Sequence, residues 1–368
     1  MKLRSKIGLG FAAFIVLAAI AVRLVLGYDA DCGPPPADYR GDDAMKAARY
    51  HCYGGPEILR IEEVQKPSPG AGEVLVRVHA AGVNPLDWHY LRGTPYLMRL
   101  LAGIGRPRDN RLGVDFAGTV EAVGTDVTRF EPGDDVFGGA AGAYAEYLLV
   151  REDGAIARKP QGVPFDQAAG VAIAGVTALQ GLRDKGRIEA GDRVLINGAS
   201  GGVGSFAVQI AKAYGADVTG VCSTRNLERV LALGADHVID YTQQSYLEGN
   251  QSFDLILDMV GNHSLTDNLD VLEPDGVLVT VGDADIGDWI DPLLGALGSL
   301  IISPFVSQEI VGFIARLDPG DLQILASMMA EGRLQTLVDS HYTLQQLPEA
   351  LAYSEDGHAS GKLIVELD

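Results

Sequence analysis

Ala199, Ser200, Gly201, Gly202, Val203 and Gly204 are six consecutive residues suited to a turn that holds an anion. Ala199, Gly201 and Gly204 keep the G-x-G-x-x-G spacing, with alanine in first place. Gly201 would let the backbone approach a pyrophosphate, and Gly204 would let a helix pack closely on a strand. The apolar run 193–197 precedes this turn and a helix-like stretch, 205–214, follows it. Strand, turn and helix in that order bring helix amides onto an anion. A dinucleotide is the expected ligand.

The residues after the next strand choose between dinucleotides. That strand is expected at 217–221. An acid at its end would take the ribose 2′-hydroxyl of NADH. Here the chain reads Cys222-Ser223-Thr224-Arg225-Asn226, with no carboxylate before Glu228. A hydroxyl and a guanidinium suit a 2′-phosphate, so NADP(H) is the expected cofactor. The plainer alternative is that Ser223 caps a helix and Arg225 is solvated.

The elements that position these residues follow from patterning. From 45 to about 161 the chain shows short strand-like pieces: 73–79, 113–123, 135–137 and 144–150. From 164 to about 331 strands alternate with helices, with strands expected at 193–197, 217–221, 237–240, 253–259 and 276–281. Such alternation predicts a parallel sheet with right-handed crossovers. The stretch 334–367 returns to strand-like character. The expected division is a leader at 1–27, a linker at 28–44, a β-rich domain at 45–163, a cofactor domain at 164–332 and a C-terminal return at 333–368.

The chain has 368 residues, 47% of them hydrophobic, with a net charge of −20. That supports two domains with real cores and argues against nucleic acid as a partner. Cys32, Cys52 and Cys222 are too few and scattered to suggest a disulfide framework. Between Ile7 and Leu26 the only charge is Arg23, and Lys2, Arg4 and Lys6 precede the run. Twenty helical residues span roughly 30 Å. A single-pass membrane anchor is therefore expected, with a cleaved signal peptide as the alternative because Ala19-Ile20-Ala21 resembles a cleavage site. A homodimer is carried as an expectation.

Five stretches carry a resemblance: 80–88 (Ala-Ala-Gly-Val-Asn-Pro-Leu-Asp-Trp), 112–118 (Leu-Gly-Val-Asp-Phe-Ala-Gly), 197–204, 234–241 and Ser360-Gly361-Lys362. Together they resemble the medium-chain dehydrogenase/reductase superfamily, in its zinc-independent quinone oxidoreductase and enone reductase branch. The resemblance implies an α/β fold, with a Rossmann doubly wound parallel sheet beside a GroES-like β-rich catalytic domain. The expected membrane helix precedes both. Where zinc alcohol dehydrogenases of the superfamily have a catalytic cysteine and Gly-His-Glu, this chain has Asn84 and Gly113-Val114-Asp115. No cysteine lies between Cys52 and Cys222. His79, His89 and Asp87 form only an ad hoc set, so no metal is expected.

Without a metal, the implied chemistry is hydride delivery to a quinone or an α,β-unsaturated carbonyl, whose conjugation spreads developing charge. Asn84 is the first catalytic candidate, as a donor to substrate oxygen or to the nicotinamide ribose, or else as a turn cap. Asp87 would hold the loop. Tyr90 and Tyr96 are proton donors or aromatic walls, or simply packing. Thr177 matches a cofactor-facing position of the family, and Tyr241 a tyrosine near the adenosine phosphate. Lys212 faces the same region. Gly261 and Gly282 follow the fourth and fifth strands, and Lys362 reaches phosphates or ends a strand. The competing readings are a zinc-type alcohol dehydrogenase and a membrane-tethered NADPH-binding protein without turnover.

Overall fold

A computed structural model describes residues 20–34, 36–249, 251–281 and 306–367. Gly282 lies outside them. The chain opens with an antiparallel pair, β1 (Ala44–Arg49) and β2 (Arg60–Gln65). There follow β3 (Glu73–Val83), β4 (Asp115–Val123), β5 (Asp135–Gly139), β6 (Tyr147–Arg151) and β7 (Ile156–Arg158). The parallel part carries β8 (Arg193–Asn197), β9 (Asp217–Cys222), β10 (His237–Asp240), β11 (Phe253–Asp258), β12 (Leu272–Thr280) and β13 (Glu309–Gly312). The chain ends with β14 (Val338–Thr343) and β15 (Lys362–Glu366).

β8–β13 form a six-stranded sheet in the order β10-β9-β8-β11-β12-β13, with every pairing parallel. The order reverses between β8 and β11, which places the crevice for a ligand at their carboxyl ends. Val194, Leu195 and Ile196 of β8 are all buried, because a parallel sheet is covered on both faces. Helices Ala172–Gln180, Gly202–Ala213 and Pro319–Ala330 supply cover, and Val176, Phe206, Ile210 and Leu325 share one core with the sheet.

The second sheet has the order β14-β15-β3-β4-β5-β7, with β6 also on β3. β3 runs four residues past its expected end. Ala80 to Val83 pair with β15 on one side, and Ala80 to Gly82 pair with β4 on the other. The C-terminal return thus becomes an inner strand of the first domain, carrying Lys362 beside the end of β3.

The amino-terminal region requires a correction. Of the apolar run 7–26, residues 7–19 lie outside the described residues. Among the described residues no helix is long and apolar enough to cross a membrane. The described remainder, helical at 20–26, ends against the protein. Leu26 is buried and its carbonyl accepts from Arg99 Nη1 at 2.9 Å. The expected membrane helix, and the membrane localisation built on it, are therefore set aside. The cysteine reading also changes. Cys32 and Cys52 form a disulfide with Cα atoms 4.8 Å apart, inside the range such bonds need. It ties the stretch expected to be a linker onto the β-rich domain.

Candidate active site

At the end of β3 the chain turns into helix Pro85–Arg92, with Asn84 as N-cap and Pro85 in the first turn. Proline suits that place because its missing N–H had no partner there anyway. Asp87 reaches back, and its Oδ2 accepts from the Asn84 amide N–H at 2.8 Å and from the Tyr144 hydroxyl at 2.7 Å. Beside it Lys362 donates to Asn84 Oδ1 at 2.6 Å and to the Val83 carbonyl at 2.9 Å, and stands 3.5 Å from Asp115 Oδ2. An ammonium can only donate, so the atom facing it must be the carbonyl oxygen of Asn84. That fixes the amide: Nδ2 donates to Asp115 Oδ2 at 3.0 Å. Asp115 Oδ1 accepts from the Ile173 N–H at 2.9 Å, at the start of helix Ala172–Gln180. One cluster therefore joins β3, β4, β15 and helix Ala172–Gln180, which precedes the parallel sheet.

The cluster is closed to solvent: Asn84, Asp87, Asp115 and Lys362 are each 0–2% exposed. Burial sets its electrostatics. It pushes Asp87 up to about 7, against the opposing hydrogen bonds from Tyr144 and the Asn84 amide. It raises Asp115, opposed first by Lys362, and lowers Lys362, opposed first by Asp115. Burial also holds the Tyr144 hydroxyl well above its ordinary value, so it remains a donor to Asp87.

Around the crevice, Gly198 turns with φ +91° and the glycine-rich turn enters helix Gly202–Ala213 with Gly201 as N-cap. A Cβ on Gly204 would run into the Gly198 carbonyl and lie 2.8 Å from Ala199 Cα. A Cβ on Gly201 would meet only the Gly198 oxygen, at 3.3 Å. Ala199 is buried beneath the turn, while Ser200, Gly202 and Val203 are partly open. The first-turn amides have no acceptor within the helix. A cradle without side chains and with unused donors fits a pyrophosphate.

The remaining candidates fall in several places. Ser223 follows β9, and Arg225 is exposed with its guanidinium on the His358 carbonyl at 2.6 Å. Tyr241 is exposed just past β10, its N–H on the Cys222 carbonyl. Gly261 has φ +66°, and its N–H donates to Asp258 Oδ1 at 3.0 Å at the carboxyl edge. Thr177 turns its hydroxyl onto the Ile173 carbonyl. Lys212 pairs with Asp236. Tyr90 is 37% exposed on the outer side of helix Pro85–Arg92. Tyr96 stacks on Arg99, away from Asn84's partners. Lys362 turns its ammonium into the buried cluster, where the sequence reading offered phosphates or solvent. Asn84, read as a donor to substrate, has its amide engaged by Asp115 and Lys362.

Asp115 and Tyr144 are absent from the sequence-derived candidates. A carboxylate in the apolar stretch Gly-Val-Asp-Phe-Ala-Gly, set against the lysine in Gly-Lys-Leu-Ile-Val, is the signal that would have paired Asp115 with Lys362. Each is a charge in a strand whose neighbours are buried.

Residues 70–161 match the family described as the alcohol dehydrogenase GroES-like domain, and 233–365 the family described as zinc-binding dehydrogenase. The human quinone oxidoreductase is 32% identical over 343 residues, covering 89% of this chain and 99% of its own. The chloroplastic quinone-oxidoreductase QR1 of Triphysaria versicolor is 34% identical over 340 residues, covering 88% and 98%. The chain belongs to the medium-chain dehydrogenase/reductase superfamily, in its quinone oxidoreductase branch. The solved quinone oxidoreductase of Coxiella burnetii superposes with a TM-score of 0.77 at 28% identity, covering 88% of this chain and all of that one. The parallel sheet and the β-rich domain are thus the Rossmann and GroES-like parts of this superfamily. The protein is an oxidoreductase, and its branch uses a nicotinamide cofactor.

Proposed function

We propose that this protein is an NADPH-dependent reductase that delivers hydride to a quinone or an α,β-unsaturated carbonyl without a catalytic zinc. The observation that carries the zinc-free reading is the place of Lys362. Its ammonium lies 2.6 Å from Asn84 Oδ1 and 3.5 Å from Asp115 Oδ2. By the resemblance, Asn84 stands where the superfamily's zinc enzymes carry the catalytic cysteine, and Val114-Asp115 stands where they carry His-Glu. A fixed cation there repels a second one, and Asp115 already neutralises it. Among the described residues, no three His, Cys, Asp or Glu side chains gather to hold a metal. His79, His89 and Asp87 have separate partners: Thr119, the Thr94 carbonyl and Tyr144.

NADPH is supported by the end of β9, where Ser223 and Arg225 stand in a segment with no carboxylate between Asp217 and Glu228. Asp240 is engaged by Thr224 and Thr242. When bound, the cofactor supplies the hydride. The chain's contribution is position. Asn84, Asp115 and Lys362 lock the turn after β3 to helix Ala172–Gln180 of the cofactor domain, and Asp87 with Tyr144 holds the helix that follows β3. Of the candidates Asn84, Asp87 and Tyr90, only Tyr90 is open enough to meet an acceptor.

The test is steady-state kinetics with one quinone and one enone, with NADPH and with NADH, in the presence and absence of a chelator. NADPH oxidation that survives the chelator is expected, with NADPH favoured over NADH. Loss of activity to the chelator with recovery on adding zinc would reject the mechanism.

A further inference from the structure

At the adenosine end of the crevice one side chain gathers three hydroxyls. Asn226 is 4% exposed. Its Nδ2 lies 3.1 Å from Ser200 Oγ, 3.2 Å from Ser223 Oγ and 3.1 Å from Ser360 Oγ. The three serines come from different parts of the fold: the glycine-rich turn, the end of β9, and the segment leading into β15. An amide nitrogen has two hydrogens, so three hydroxyl oxygens share two donors. Each hydroxyl that accepts from the amide turns a lone pair inward. Its own hydrogen is then free for another acceptor; Ser200 and Ser223 are half-buried and Ser360 is 5% exposed. Hydroxyls so freed beside an arginine suit an anion.

We infer that Asn226 is a positioning residue for the 2′-phosphate of the cofactor, and that Ser360 is the catalytic domain's contribution to that subsite. The inference rests on the NADPH reading above and names residues beyond Ser223 and Arg225. Two further observations support it. Arg225 now donates to the carbonyl of His358, two residues before Ser360, so the guanidinium already lies against the same segment. That segment is pinned. Gly361 has φ +129° where a Cβ would strike the Leu337 carbonyl, and the Lys362 N–H donates to that same carbonyl at 2.7 Å. Ser360 and Lys362 are two residues apart, so the phosphate subsite and the buried Asn84 cluster share one stretch of chain. Recognition of the phosphate would thereby hold the two domains together.

The experiment is calorimetric titration of the full chain with 2′,5′-ADP and with 5′-AMP, which differ only in the 2′-phosphate. Wild type, Asn226→Ala, Asn226→Asp and Ser360→Ala are compared. Wild type is expected to favour 2′,5′-ADP. Each alanine variant should lose roughly tenfold for 2′,5′-ADP, the size of a weakened charge-assisted hydrogen bond, with 5′-AMP nearly unchanged. Asn226→Asp should lose most, because its carboxylate repels the phosphate. If wild type does not distinguish the two ligands, the NADPH reading itself fails. If wild type distinguishes them and the variants keep the same ratio, only the assignment of Asn226 and Ser360 fails. Equal loss for both ligands would mean a merely structural role and would also overturn it. Should Asn226→Ala not fold, Ser360→Ala decides alone.

Discussion

Asp87 shows how one buried carboxyl is balanced. Taking it out of water favours the neutral form, while the Tyr144 hydroxyl and the Asn84 amide favour the charged one. Burial prevails and the group rests at about 7, far above its ordinary 3.8. With Asp115 and Lys362 close by, a neutral Asp87 leaves one carboxylate facing one ammonium, which is the cheaper arrangement in a dry site. The sign of its effect on stability follows. Between pH 4 and 7 the folded chain keeps a proton that the unfolded chain has lost, so this contribution falls as pH rises through that window. Asp87→Asn removes the titration and leaves an oxygen to accept the same bonds. Urea unfolding of both proteins from pH 4 to 8 should show the variant gaining on the wild type by on the order of 1–4 kcal/mol. A flat difference across that range would mean that Asp87 is ionised throughout.

At the scale of elements, the turn before helix Gly202–Ala213 separates two uses of glycine. A side chain at Gly204 collides with the backbone of Gly198, which cannot move without breaking the join between β8 and the helix. At Gly201 the nearest atom is 3.3 Å away, and the added methyl would occupy the space assigned to the pyrophosphate. Gly204→Ala is therefore expected to cost about 1–3 kcal/mol of stability, as overpacking does. Gly201→Ala should stay within about 0.5 kcal/mol of wild type yet lose cofactor affinity. Denaturant melts and fluorescence titration with NADPH check the pair; equal stability losses would contradict it. This turn was legible because its order of strand, glycines and helix is local, and so were the strands on either side. β13 was not anticipated, since Glu-Ile-Val-Gly is too short to show a period. The Asp115–Lys362 pair was not legible either. Its members lie 247 residues apart, and only the return of β15 beside β3 brings them together. The Asn226 cluster is hidden for the same reason, because Ser360 reaches it from the far end of the chain.

Over the whole molecule, the stretch before β1 behaves as a strap on the β-rich domain. Two scattered cysteines carried no such message in the sequence, because pairing depends on where the chain passes and not on their spacing. The disulfide closes a loop across a separation of 20 residues. Beside it Arg99, itself 1% exposed, receives the strap: it donates to the carbonyls of Leu26 and Tyr28 and pairs with Asp29 at 2.8 Å. Asp29 is half exposed, so that ion pair contributes little on its own. The carbonyls matter more, because without them Nη1 of a buried guanidinium would lose its carbonyl acceptors, while Nε and Nη2 keep the Gly93 and Arg92 carbonyls. Ala30 adds a backbone bond to Gly105 at 2.8 Å. The parallel sheet takes no part in these contacts. Breaking the disulfide should therefore loosen the strap and leave the cofactor domain folded. Cys32→Ser is expected to lose about 3 kcal/mol in the loop-entropy account, read as a lower urea midpoint. Limited proteolysis should then cut near residues 27–43 while NADPH affinity stays close to wild type. The strap has no such role if the variant resists protease like the wild type and melts at the same denaturant concentration. A loss of cofactor binding in parallel would instead mean that the strap supports the Rossmann part.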